Sequence, residues 1–172
     1  MDTKQFYSLV FDYLQSLFLN GDPVSETLAL KIVDWCSKSG DLGRIQQGLQ
    51  YRIFPQTEKI ADAVLELSKE KEYFFQAGIE ILLKISAKSK ICNSLLSRKE
   101  WQLCHKVLLN DRPIDLGLLE KTWEGISKTN DRRLIEMELS RLESKVSIFP
   151  EINEILKAHE VRAKRELAGA LL

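Results

Sequence analysis

The sequence predicts an all-α protein, a right-handed α-α superhelix of stacked antiparallel helical hairpins with roughly eight to ten helices. Three observations predict it. Apolar residues recur at the helical period along nearly the whole chain. No segment shows the period-two alternation or the short β-branched runs that make strands. A short turn signature recurs four times at near-constant spacing.

The chain has 172 residues, enough to bury a core without disulfides or metals. It is 44% hydrophobic and 29% charged, a balance that excludes intrinsic disorder. With 8 Gly and 4 Pro, little of it is left for long loops. The expected organisation is a single helical-repeat domain over 1–172. An N-terminal helix covers 1–20, about four helix–turn–helix units cover 25–147, and a capping helix covers 150–172.

The first helix carries Phe6, Leu9, Val10, Tyr13, Leu14, Leu17 and Phe18 at i, i+3, i+4 and i+7 steps, one continuous apolar face. Tyr7 and Phe11 widen it, so this helix is expected to pack on more than one neighbour. The turn residues Asn20, Gly21, Asp22 and Pro23 stop it. Ser25 is placed to cap the next helix, whose stripe runs from Leu28 through Ile32, Val33 and Trp35 to Cys36. Gly40 supplies the left-handed residue past its end. Asp41 is placed to cap a third helix bearing Ile45, Leu49, Ile53 and Phe54, which Pro55 breaks. Ile79 to Ile85 comes closest to a strand, but it sits inside a helix-length pattern. The last helix is expected to start at Pro150, with Ile152, Ile155, Leu156 and Val161 on its apolar face. The small apolar tail from Leu167 to Leu172 follows it.

The recurring turn is Ser followed by Lys or Arg, a polar step, and an acidic residue. It occurs at Ser37, Ser68, Ser97 and Ser127, and the acidic residues are Asp41, Glu72, Glu100 and Asp131. A basic residue meets the negative end of the helix just finished. The acidic one meets the positive end and free amides of the helix just begun. Each copy is therefore expected to join two antiparallel helices, and a period near 30 residues is one hairpin. The stretch Trp35-Cys36-Ser37-Lys38-Ser39-Gly40-Asp41-Leu42 with Pro55 resembles the mid-repeat turn and repeat end of tetratricopeptide- and pentatricopeptide-type repeats. The likeness is confined to residues 28–55. The period is shorter than in those families, and their full residue patterns are absent. The resemblance implies the architecture and a binding superhelix, and it carries over no binding residue.

Charge and motifs narrow the function classes. The 25 basic and 25 acidic residues cancel, which argues against nucleic-acid binding by bulk charge. Three widely spaced cysteines, Cys36, Cys92 and Cys104, make no disulfide framework and read as buried thiols in a reducing compartment. No phosphate loop, nucleophile elbow or metal-ligand spacing is present, so neither a catalytic residue nor a cofactor or metal is expected. Cys104 and His105 are adjacent on a helix and point about 100° apart, a poor chelate, and His105 is expected to be partly exposed. His159 is expected on the surface. Glu136 and Glu138 are two apart and face different ways. The tryptophans Trp35, Trp101 and Trp123 lie near the turns and are expected to fill gaps between hairpins; the sharper alternative is a set of stacking platforms for bases.

What remains is a surface. From Lys84 to Arg112 basic residues outnumber acidic ones, with Glu100 and Asp111 the only acids, and Lys84 and Lys88 are spaced one helical turn apart. The candidate binding residues are Lys84, Lys88, Lys90, Arg98, Lys99 and Lys106. The expectation is an intracellular, cytoplasmic or nuclear, non-catalytic scaffold that binds another protein or peptide, as a subunit or fragment of a larger complex. The alternative partner is RNA along the basic patch. No membrane span is expected, and homo-oligomers would form through the first helix or the C-terminal tail.

Overall fold

The computed structural model describes residues 3–110, 114–129, 131–146, 152–154, 156–158 and 161. These residues form helices and turns and no strand. The helices are α1 (Thr3–Leu19), α2 (Glu26–Lys38), α3 (Leu42–Gln50), α4 (Glu58–Glu66), α5 (Glu72–Lys84), α6 (Lys88–Ser97), α7 (Trp101–Leu109), α8 (Leu116–Ser127) and α9 (Arg132–Val146), with a 3₁₀ turn at Leu67–Lys69. The fold is all-α. Its contacts divide it into two compact units, Met1–Ala87 and Lys88–Leu172.

In the first unit α4 and α5 form the most extensive helix pair, closed by the 3₁₀ turn, and α2 packs on α3 and α4. Its core is Ala29, Ile32, Val33, Ile45, Ile60, Ala61, Val64, Phe74 and Leu82. The contacts that join helix α1 to it include a ring stack and a polar anchor. The Tyr7 ring stacks on Trp35 at 4.1 Å. Arg44 donates to Ser8 Oγ at 2.9 Å while its guanidinium lies over the Phe11 ring. The apolar stripe of α1 does not go inward as a whole. Phe11 and Leu14 are buried, but Phe6, Leu9, Tyr13 and Phe18 stay exposed. The buried contacts favour the side of α1 centred on Tyr7, Phe11 and Leu14, and leave part of the wide stripe to solvent.

In the second unit α7 pairs with α6 and α8, and α9 packs on α7 and α8. Its core includes Ile91, Cys92, Leu95, Cys104, Leu119, Trp123, Ile126 and Leu142. Beyond α9 the described residues 152–154, 156–158 and 161 are helical, with Ile152 and Leu156 buried and Val161 exposed. Ile155, His159 and the tail from Leu167 to Leu172 lie outside the described residues.

The turns are built from backbone more than from side chains. Among the described residues five helices end on a left-handed residue: Gly21, Gly40, Arg52, Ser86 and Lys99. After each, an amide reaches back to close the last turn. Asp22 donates to the Leu17 carbonyl, Asp41 to Cys36, Ile53 to Gly48, Ala87 to Leu82 and Glu100 to Leu95, all within 2.9 Å. This is the Schellman arrangement, which satisfies carbonyls that the helix leaves free. It also corrects the expected end of α3. The helix stops at Gln50 because Arg52 turns left-handed, and Ile53 and Phe54 are buried in the loop instead.

The four copies of the turn signature share sequence more than geometry. Those at Ser37 and Ser97 end in left-handed residues, Ser68 lies in the 3₁₀ turn, and Ser127 precedes a right-handed cap at Lys128. Acidic capping holds at one copy: Asp131 accepts from the Leu134 amide at 3.2 Å. Asp41 makes no cap and pairs with Arg44 at 3.0 Å, and Ser25 occupies its cap position without a side-chain hydrogen bond. Thr57 on α4 and Asp115 on α8 bond as caps too.

Candidate functional site

Two surface features stand out, one in each unit. The first is a groove of about 540 Å³ between α1 and α2, with Phe6, Val10, Leu28 and Trp35 among its walls and Lys31, Asp34 and Lys38 at its rim. Its charges largely satisfy each other, since Lys38 pairs with Asp34 at 2.8 Å.

The second is a smaller groove of about 220 Å³ between α7 and α9, lined by Lys106, Leu109, Asn110, Arg141, Ser144 and Lys145. Both helices contribute their C-terminal halves, so α7 and α9 lie side by side in the same direction. Helical spacing puts Lys106 and Asn110 on one face of α7, and Arg141 and Ser144 on one face of α9. Leu109 supplies an apolar floor and is 4% exposed. Among the described residues the three ionisable side chains of the groove are all cations. Lys106 and Lys145 enter no ion pair among the described residues.

A buried polar chain underlies this groove. His105 and Glu138 are both fully buried, and His105 Nδ1 is hydrogen-bonded to Glu138 Oε2. The other carboxylate oxygen of Glu138 accepts from Arg141 Nη1. Glu138 therefore ties α7 to α9 and fixes the guanidinium at the groove edge. Burial lowers the pKa of His105, opposed by the hydrogen bond and charge of Glu138. The neutral imidazole then donates from Nδ1. Nε2 has no partner among the described residues. The Trp123 ring lies 6.3 Å away. Next to it, Cys104 Sγ stands 3.2 Å from Thr122 Oγ1, and Thr122 donates to the Leu118 carbonyl at 2.7 Å.

Of the six basic residues that the sequence singled out, Lys106 stands in this groove. Lys84 belongs to the first unit, where it pairs with Glu80 at 2.6 Å. Lys84 and Lys88 do not share a helix, because the left-handed Ser86 separates α5 from α6. Lys88 and Lys90 open α6, and Arg98 and Lys99 form the turn after it. Arg112 lies outside the described residues. Arg141 and Lys145 were missed because they are distant in sequence and sit among acidic neighbours. His105 is fully buried where partial exposure was expected, because Glu138 reaches it from α9. The tryptophans fill space between helices: Trp123 is fully buried, Trp35 stacks on Tyr7, and Trp101 lies against Gly125, where a Cβ would come within 2.3 Å of its ring.

Among the described residues no three His, Cys, Asp or Glu side chains gather to hold a metal, and no helix is long and apolar enough to cross a membrane. No curated protein and no solved structure matches the chain. A family model described as "Regulator of MON1-CCZ1 complex, C-terminal" matches residues 1–137.

Proposed function

The chain belongs to the family described as the C-terminal part of the regulator of the MON1-CCZ1 complex, and from that premise we propose that it is a non-catalytic interaction domain acting on that complex through protein contacts. The family match over residues 1–137 carries this reading. The structure supports it with helices that leave large side chains on the surface. Phe6, Leu9, Tyr13, Leu103 and Met137 are each more than two-fifths exposed. Helical stacks of this kind commonly work by presenting a surface. The three cysteines are buried and form no disulfide, a usage that suits an intracellular, reducing compartment.

Mixing the purified chain with purified MON1-CCZ1 complex and following it by size-exclusion chromatography tests the reading. Co-elution in a defined ratio is expected. A chain that elutes alone at micromolar concentrations of both components would overturn it.

A further inference from the structure

We propose that the α7–α9 groove is a docking site for an acidic, amphipathic segment of a partner protein, whose apolar side chain seats over Leu109 while its carboxylates meet Lys106, Arg141 and Lys145. The proposal deepens the interaction reading above by naming a site and a ligand chemistry.

Charge complementarity carries it. Three cations surround an apolar floor, and among the described residues no carboxylate lines the groove. Two of the cations, Lys106 and Lys145, are not spent on ion pairs among the described residues. The third is held in place from below, because the buried Glu138 anchors one guanidinium nitrogen of Arg141 and leaves the side chain 45% exposed. A fixed guanidinium is suited to a carboxylate, since its fork of donors needs little further ordering.

Size and surroundings choose among ligands. At about 220 Å³ the groove falls below the roughly 300–1,000 Å³ typical of small-molecule sites, and fits one or two side chains. Among the described residues no aromatic ring lines it to stack a base. Apolar surface continues along both helices: Leu103, one turn before Lys106, is 51% exposed, and Met137, one turn before Arg141, is 41% exposed. Leucine and methionine beside lysine and arginine, along two neighbouring helices, match a helix that is apolar on one face and acidic at its edges. A concave site with an apolar floor favours such a peptide over a flat anionic membrane.

The test uses the full chain and a labelled, synthetic helical peptide with leucines on one face and glutamates flanking them. A sister peptide carries lysine in place of each glutamate. Fluorescence anisotropy should show micromolar binding of the glutamate peptide, at least tenfold weaker binding of the lysine peptide, and affinity that falls as salt rises. The double variant Lys106→Glu/Lys145→Glu changes two surface residues and should keep the melting temperature of the parent while weakening the glutamate peptide at least tenfold. Equal binding of the two peptides, or an unaffected double variant, overturns the proposal. So does binding to phosphatidylserine vesicles that the double variant abolishes when neither peptide binds, because the groove is then a lipid site. None of these outcomes depends on MON1-CCZ1, so co-elution with that complex can fail while the groove stands, or hold while the groove falls.

Discussion

Between α7 and α9 two ionisable side chains are shielded from water, and each sets the cost of the other. Glu138 is fully buried yet bonded on both oxygens, by His105 and Arg141. His105 has its pKa lowered, mainly by burial. Its folded-state value therefore lies below the unfolded one, and the unfolded chain takes up the proton first. The stability this residue contributes is complete above about pH 6.5 and declines as the pH falls below it, by at most about 1.4 kcal/mol per pH unit. Chemical denaturation between pH 8 and pH 5 should show this decline in the parent and a flatter one in His105→Gln. Identical profiles would remove His105 from the account. None of this was legible in the sequence. A glutamate two residues from another glutamate reads as surface, and only the packing of α9 brings Glu138 to a histidine 33 positions earlier. Lys106 was legible, as one member of a basic run, whereas its groove partners Arg141 and Lys145 lie on a helix that the run does not reach.

At the level of the helices, periodicity located α1, α2 and α3, since a 3.6-residue repeat of apolar side chains survives whatever the partners are. The ends were harder to read. Gly21 and Gly40 announce left-handed turns, but Arg52, Ser86 and Lys99 adopt the same conformation without the residue that favours it. A left-handed non-glycine costs about 1–2 kcal/mol. Glycine relieves that cost but gives back part of it as unfolded-chain entropy. Lys99→Gly and Ser86→Gly should each raise stability by roughly 0.5–1 kcal/mol in equilibrium denaturation. The opposite sign is expected where glycine admits a neighbour. Gly78 faces Leu65 across the α4–α5 pair, and Gly125 faces Trp101 across α7–α8; a Cβ would come within 2.6 Å and 2.3 Å of those side chains. Gly125→Ala should cost about 1–3 kcal/mol by overpacking. A variant as stable as the parent would show that Trp101 moves aside freely.

Over the molecule as a whole, the all-α class was legible because helix-period patterning and the lack of strand patterning both point to it, whereas the four turn signatures close in different ways. The thiols offer a way to follow each unit separately. Cys36 lies in the first unit and Cys92 and Cys104 in the second. Burial pushes the Cys36 thiol up to about 11, and a hydrogen bond with Cys92 pulls Cys104 down despite burial. All three are at most 1% exposed. Pulsed alkylation across a denaturant series, read by mass spectrometry, should label none of them in the native protein and each of them as its own unit opens. Labelling of Cys104 before helix is lost would contradict the burial described for it. The His105–Glu138 contact has one further consequence, which concerns errors in assembly. Displacing α9 by one turn along α7 would carry Glu138 away from His105 and leave the buried carboxylate with the Arg141 bond of its own helix and one oxygen unanswered, at a cost of about 1–3 kcal/mol. The pair thus works as a lock on register: it rejects misaligned helices more strongly than it rewards the aligned ones.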